Sequence, residues 1–289
     1  MNCNLKVSTL IIVGFLFFFI LCGNSLAEFP FGAPKATLIV SDLVPYELVK
    51  KIATKKAKDS WGQGAIGESL AVCDDEGNIV AYMFPFSIGT KTFSTYSEIL
   101  TSVKYGRKIT EHGLEAMTET DKQKVLNSIQ DEKMGETQST GIQRHFVDNV
   151  QDQETLANKR AKELGRKMMI GAGQYGTVVV SARYDHYPVP VLMHYLPPYF
   201  YQGDLAVNKA KDVLSTEQVT LGCIYFLNGG HDQYFEFSST VEKILIHSYS
   251  LEVEPLEKVL TRNGKKVIPV QETMTAIAEE WSKIRKEVE

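Results

Sequence analysis

The chain has 289 residues, of which 44% are hydrophobic and 23% are charged, and its net charge at pH 7 is −4. This length is sufficient to bury a hydrophobic core in one large domain or two small ones. The mildly acidic balance lacks the basic surface that nucleic-acid-binding proteins carry, so we predict no nucleic-acid partner.

The first 27 residues have the pattern of a secretory signal peptide. Lys6 is the only charged residue among them, and an apolar segment follows from Leu10 to Cys22. Ser25 and Ala27 supply small side chains at the −3 and −1 positions of a signal-peptidase site. The apolar segment of about thirteen residues is too short for a hydrocarbon core that needs roughly twenty. The sequence therefore predicts cleavage, a periplasmic or secreted protein, and no stable membrane span in the mature chain.

We expect the exported protein to begin at Glu28, because Ser25 and Ala27 place the cleavage site directly before it. Loss of residues 1–27 removes one basic residue and no acidic one, which changes the net charge from −4 to −5. N-terminal sequencing of the exported protein identifies its first residue. An exported chain that still begins at Met1 contradicts the prediction.

Two cysteines, Cys73 and Cys223, remain in the mature chain. An even pair in an oxidising compartment allows one disulfide. Two buried free thiols are the alternative, because cysteine is commonly buried without pairing. The sequence leaves both states open, so Cys73 and Cys223 form a candidate disulfide.

Residues 28–104 are predicted to hold a helix and then a hairpin. Asp42 and Pro45 are typical of a helix start, since aspartate caps free N–H groups and proline suits the first turn. The acidic, glycine-containing turn at 74–77 separates two apolar runs and indicates a pair of strands.

The rest of the chain divides into three segments by composition. Residues 105–170 are polar and helix-prone, and they predict a helical insertion. Residues 171–270 hold short strands in succession, including a hairpin over 221–237 and an alternating strand over 243–253, and predict an antiparallel β module. Residues 271–289 have the periodicity of an amphipathic helix. Strands in runs with helices set apart are typical of an α+β fold, so we predict α+β with short antiparallel hairpins and flanking helices.

Two segments match the dinucleotide fingerprint G-x-G-x-x-G, namely 62–67 and 171–176. The fingerprint binds a pyrophosphate only where a strand enters the loop and a helix leaves it. Both segments follow a predicted helix and precede a predicted strand, so they predict no dinucleotide site. Their shared order leaves open an internal duplication.

No other motif predicts catalysis, a metal or a cofactor. The six histidines lack H-x-x-x-H and H-E-x-x-H spacing, which would place two ligands on one metal. The best nucleophilic set is Cys223, His231 and Asp232. In the predicted hairpin, roughly 15 Å of strand separates the Cys223 thiol from the His231 imidazole. We therefore predict no catalytic residue and no cofactor.

An aromatic segment that contains four prolines, from Tyr187 to Tyr201, is a candidate partner-binding surface. The prolines keep the backbone from pairing fully within a sheet, and rigid aromatic side chains provide contact area at low entropic cost. The alternative is a core strand followed by a packed turn. The candidate binding residues are Tyr187, Tyr195, Tyr199, Phe200 and Tyr201.

Two parts of the chain resemble exported modules of the PepSY and streptopain-propeptide type. The first is the helix around residues 43–58 together with Asp74 to Phe84, and the second runs from Tyr175 to Asp185 and on through Val189–Leu192. The second is similar to the G-hydrophobic-V-S-A-x-D … P-V-L stretch of these propeptides and inhibitors. The resemblance covers roughly a third of the mature chain, which departs from the family in its polar insertion. It implies an inhibitor-like or chaperone-like accessory module of an extracytoplasmic protease, without the protease.

These observations favour an exported, non-enzymatic module that binds a protein or peptide. The alternative is an extracytoplasmic hydrolase whose catalytic groups are scattered along the chain. A hydrolase should bring polar groups together in a deep pocket, whereas a binding module should expose an apolar patch or an edge strand.

Overall fold

A computed structural model describes residues 43–74, 77–140, 150–227, 232–255, 259 and 271–289. The predicted signal peptide and its cleavage site lie outside them. Among the described helices, none has both the length and the apolar character that a bilayer crossing requires. The helices are α1 (Tyr46–Trp61), α2 (Tyr96–His112), α3 (Glu119–Thr140), α4 (Val150–Ile170), α5 (Pro198–Leu214) and α6 (Gln271–Val288). The strands are β1 (Gly64–Ile66), β2 (Leu70–Cys73), β3 (Ile79–Ile88), β4 (Tyr175–Ser181), β5 (Val191–Met193), β6 (Thr220–Leu227), β7 (Asp232–Ser238), β8 (Lys243–His247) and β9 (Val253–Glu254).

The described strands form one sheet in the order β5-β4-β3-β2-β6-β7-β8-β9, and β1 pairs with the end of β3. All neighbours are antiparallel except β2 and β6, which run parallel. The sheet thus consists of two antiparallel groups, β2–β5 and β6–β9, joined at one parallel junction. The predicted α+β class is confirmed, with a single mixed sheet in place of separate antiparallel ones.

One face of the sheet is covered by α1 and α6. The α1 helix buries Ile52 and Ala53 against alternate residues of β3 and β4, including Phe84 and Val178. The α6 helix packs beside α1 and adds Trp281 to the same cluster. Because side chains alternate across a strand, the residues between these positions face the opposite side.

The opposite face is covered by α5 and the helical insertion. Tyr199 of α5 packs its ring edge-on against Phe235 of β7, with 6.0 Å between the ring centroids. Phe200 contacts Tyr96 at the start of α2. The described elements therefore form three layers, with the sheet between two layers of helices.

The helical insertion lies between β3 and β4 and consists of α2, α3 and α4. It begins at Tyr96, before the predicted start at residue 105, because Thr95 and Glu98 form a capping box. Two glycines bring α2 and α4 into backbone contact: a Cβ at Gly165 would lie 2.8 Å from the carbonyl oxygen of Gly106. The insertion is therefore held by close helix packing.

Both glycine segments lie where the sequence predicts, between a helix end and a strand. Gly62, at φ +80°, ends α1, and Gly171, at φ +65°, follows α4. The two loops meet at the end of β3, where the Ile88 N–H donates to the Gln174 carbonyl and the Gly89 N–H donates to the Gln63 carbonyl. Neither loop leads into a helix N-terminus, which is the geometry that pyrophosphate binding needs.

Candidate partner-binding surface

Three of the five aromatic residues predicted to contact a partner are core residues instead. Tyr199 and Phe200 are each 1% exposed, and Tyr201 is 3% exposed. Burial raises the pKa values of the Tyr199 and Tyr201 phenols well above the ordinary value. These side chains are not on the surface that a partner would meet.

The cause of this difference is the Pro197-Pro198 pair. The sequence suggested that these prolines limit pairing within a sheet and leave the aromatic side chains exposed, but Pro198 occupies the first turn of α5. Proline is well suited there because its missing N–H is not needed and its φ is already helical. The first turn of α5 then directs the aromatic residues that follow toward the sheet and α2.

The other two predicted residues lie closer to solvent. Tyr195 is half-buried, and its phenol hydrogen-bonds with that of Tyr249. Tyr187 is 49% exposed. Of the five predicted residues, Tyr187 therefore offers the largest accessible ring.

Tyr187 precedes β5, which lies at the end of the strand order. β5 pairs with β4, with Thr177 opposite Met193 and Val179 opposite Val191. On its outer side, no strand from the described part of the chain pairs with it. The middle residue of β5, Leu192, is 44% exposed. This strand presents both a free backbone edge and an exposed apolar side chain.

The loop from Arg183 to Pro190 is held in place by several hydrogen bonds. The Arg183 guanidinium donates two bonds to Asp185, at 3.0 and 2.9 Å. The Asp185 carboxylate also lies 2.8 Å from Nδ1 of His186. The hydrogen bond from Arg183 and the contact with His186 lower the pKa of Asp185 to about 2.

Helix α6 fixes the same loop from the other side. Trp281 Nε1 donates to the His186 carbonyl at 2.8 Å, and the Trp281 ring packs edge-on against Tyr184, with 5.0 Å between centroids. Beside this contact lies an open groove of about 380 Å³, which Arg285 and Lys286 also line. We call the loop 184–190, strand β5 and this groove the β5 edge surface.

A second cluster of polar side chains lies on the α1 face of the β6–β9 group. The Tyr225 hydroxyl donates to Glu236 Oε2 at 2.6 Å, and Lys243 Nζ donates to Oε1 at 3.1 Å. Glu236 is 4% exposed, and each of its carboxylate oxygens accepts a bond from a protein donor. Both oxygens of this buried carboxylate are thus paired within the protein, as is usual for buried polar groups.

The cysteines of the candidate disulfide lie next to this cluster. Cys73 and Cys223 are both buried, and both are free thiols in this structure. Among all the residues that the structure describes, no three side chains of the kinds that ligate metals come together. The sequence allowed the two cysteines to pair but did not place them next to each other.

The two stretches that resemble propeptide modules form neighbouring parts of the sheet. Residues from Asp74 to Phe84 include most of β3, and those from Tyr175 to Asp185 form β4 and the start of the β5 edge surface. The kinship itself stays a prediction. No protein-family model matches the chain, and no curated protein and no solved structure matches it either.

Proposed function

We propose that this chain is an exported, non-enzymatic module that binds an extended segment of a partner protein at the β5 edge surface. The observation that carries the proposal is the free edge of β5, with Leu192 exposed at its centre. An extended peptide can add to such an edge as a further strand, through main-chain hydrogen bonds and contacts with alternate side chains.

The flanking residues restrict how a partner could bind. Pro188 and Pro190 lack backbone N–H groups, so they cannot donate to an added strand before β5. Main-chain pairing is therefore confined to a short register around Leu192. Tyr187 and the groove beside Trp281 supply apolar and cationic contacts outside that register. Because strand pairing is short and side-chain contacts are also needed, this edge favours binding of one peptide segment over open-ended addition of further strands.

The loop beside β5 is already held in one conformation, which favours binding without rearrangement. The ion pair between Arg183 and Asp185 and the bond from Trp281 to the His186 carbonyl hold the loop before a partner arrives. A surface that is already ordered loses less conformational entropy on binding. The resemblance to protease propeptides makes extracytoplasmic proteases the first class of partner to test.

We expect a photo-crosslinking residue at position 187 or 192 to capture the same partner polypeptide in the envelope of the producing cell. p-Benzoylphenylalanine introduced at these positions, followed by irradiation and mass spectrometry, makes the measurement. Position 126 is the matched control, because Leu126 is 41% exposed and lies on α3. Equal labelling at all three positions, or none at 187 and 192, contradicts the proposal.

Once a partner is captured, Leu192→Lys tests the mode of binding. A charge at the centre of an edge strand removes an apolar contact and discourages strand addition. We expect at least a tenfold weaker Kd, about 1.4 kcal/mol, with little change in stability because the side chain is exposed. Leu126→Lys is the control, and unchanged affinity in Leu192→Lys would show that binding lies elsewhere.

A further inference from the structure

We infer that Cys73 and Cys223 form a disulfide in the exported protein, and that this bond ties together the two antiparallel groups of the sheet. The inference rests on the predicted export and is independent of the β5 edge surface. It concerns the parallel junction of β2 and β6, where the backbone of each strand departs from regular pairing.

The first observation is a β-bulge in β6. Leu221 pairs with Phe237 and Ile224 pairs with Phe235, so Gly222 and Cys223 together lie opposite the single residue Glu236. A bulge of this kind shifts the alternation of side chains by one residue. Leu221 and Ile224 therefore face one side of the sheet, and Cys223 and Tyr225, which are two residues apart, face the other side.

Glycine at position 222 leaves room for the Glu236 side chain beside the bulge. A Cβ at this position would clash with Oε1 of the Glu236 carboxylate. The space on this side of the bulge is therefore occupied by the Glu236 side chain, which accepts a hydrogen bond from the Tyr225 hydroxyl.

The second observation is a register shift in the pairing of β2. Val72 lies opposite Ala81 of β3, but the next residue, Cys73, lies opposite Ile79. On its other side, Cys73 pairs with Tyr225 of β6 across the parallel junction. Cys73 thus points to the same face as Tyr225. Both cysteines end up in one buried cluster with Tyr225, Leu245 and Val259.

The two thiols contact each other across the junction and share a hydrogen bond. The bond from Cys73 lowers the pKa of Cys223, whereas the pKa of Cys73 is raised by the same bond and by burial. The two thiols therefore lie side by side in the buried cluster at the junction.

The oxidant is a disulfide compound, either a small molecule or a thiol–disulfide oxidoreductase. One of the two cysteines, as its thiolate, attacks one sulfur of that disulfide, forms a mixed disulfide and releases the first thiolate. The other cysteine then loses its proton and attacks Sγ of the first, which releases the second thiolate. Two protein thiols are oxidised to one disulfide, and the two electrons reduce the oxidant to two thiols.

Peptide mapping of the protein recovered from the cell envelope without reductant tests the inference. The free thiols are first alkylated in denaturant, and the chain is then cut with trypsin. The cysteines fall in the peptides 59–91 and 212–243, which separates them from Cys3 and Cys22. We expect these peptides to be linked, with neither cysteine alkylated. Recovery of both as alkylated, unlinked peptides would overturn the inference.

Thermal unfolding provides a second measurement. The bond closes a loop of about 150 residues, so reduction is expected to lower Tm by on the order of 10 °C. In Cys73→Ala, the same reductant should leave Tm unchanged. If the variant does not fold, the peptide map of the unaltered chain still shows whether the disulfide is present. A reductant-insensitive Tm in the unaltered chain, together with unlinked peptides, shows that the pair stays reduced.

Discussion

Gly165→Leu is expected to lower the free energy of unfolding by about 3 kcal/mol or more, which is at the upper end of overpacking substitutions. A Cβ at this position would lie 2.8 Å from both the Gly106 carbonyl oxygen and the Thr110 amide nitrogen. Both obstacles are backbone atoms, so no side-chain rotation can relieve the contact. The α2 and α4 helices would have to separate.

Urea denaturation followed by circular dichroism measures this effect. Lys159→Leu is the matched control, because it places the same side chain at an exposed position of the same helix. We expect the control to change stability by at most about 0.5 kcal/mol, as is usual for surface substitutions. Equal midpoints for Gly165→Leu and Lys159→Leu would contradict the close packing of α2 and α4.

Much of the sheet follows from local patterns in the sequence. The hairpin predicted over 221–237 corresponds to β6 and β7, since alternating apolar residues and a turn between them determine strand pairing locally. The parallel junction of β2 and β6 could not be predicted in this way, because the two strands are far apart in sequence. Periodicity shows which face of a strand is apolar, but not which distant strand lies beside it.

One predicted strand is shorter in the structure for a local reason. Alternation from Lys243 to Val253 predicted one continuous strand, but β8 ends at His247. The chain then turns at Leu251, whose φ is +58°, and pairs back as β9. Leucine rarely adopts this backbone conformation, so its residue type gave no sign of the turn.

The candidate site shows the same limits of local patterns. The aromatic and proline-rich segment includes β5, but composition could not separate the exposed Tyr187 from the buried Tyr199. The bulge at Gly222 had a readable signal, since an isolated glycine within a strand pattern often marks a bulge. For Cys73 and Cys223, the even number of cysteines allowed a pair but did not show that they are neighbours, because their contact depends on the pairing of distant strands.

Phe200→Ala and Tyr187→Ala are expected to separate the structural and recognition roles of this aromatic segment. The Phe200 ring is 1% exposed and packs against Phe93 and Tyr96, with centroid distances of 6.3 and 5.9 Å. Its removal leaves a cavity where α5 meets α2, and such a loss costs about 3–5 kcal/mol of stability. Tyr187 is half exposed, so Tyr187→Ala should change stability by no more than about 0.5 kcal/mol.

The same two variants should behave differently toward a partner. Because Tyr187 lies on the β5 edge surface, Tyr187→Ala should weaken partner binding several-fold while the protein stays folded. Phe200→Ala should bind with unchanged affinity under conditions where it is still native, since its ring does not reach the surface. Urea denaturation gives the stability of each variant, and titration with the captured partner gives its affinity. If Phe200→Ala loses affinity under conditions where it is still folded, the buried end of the segment takes part in recognition, and the assignment of the surface to Tyr187 and β5 is wrong.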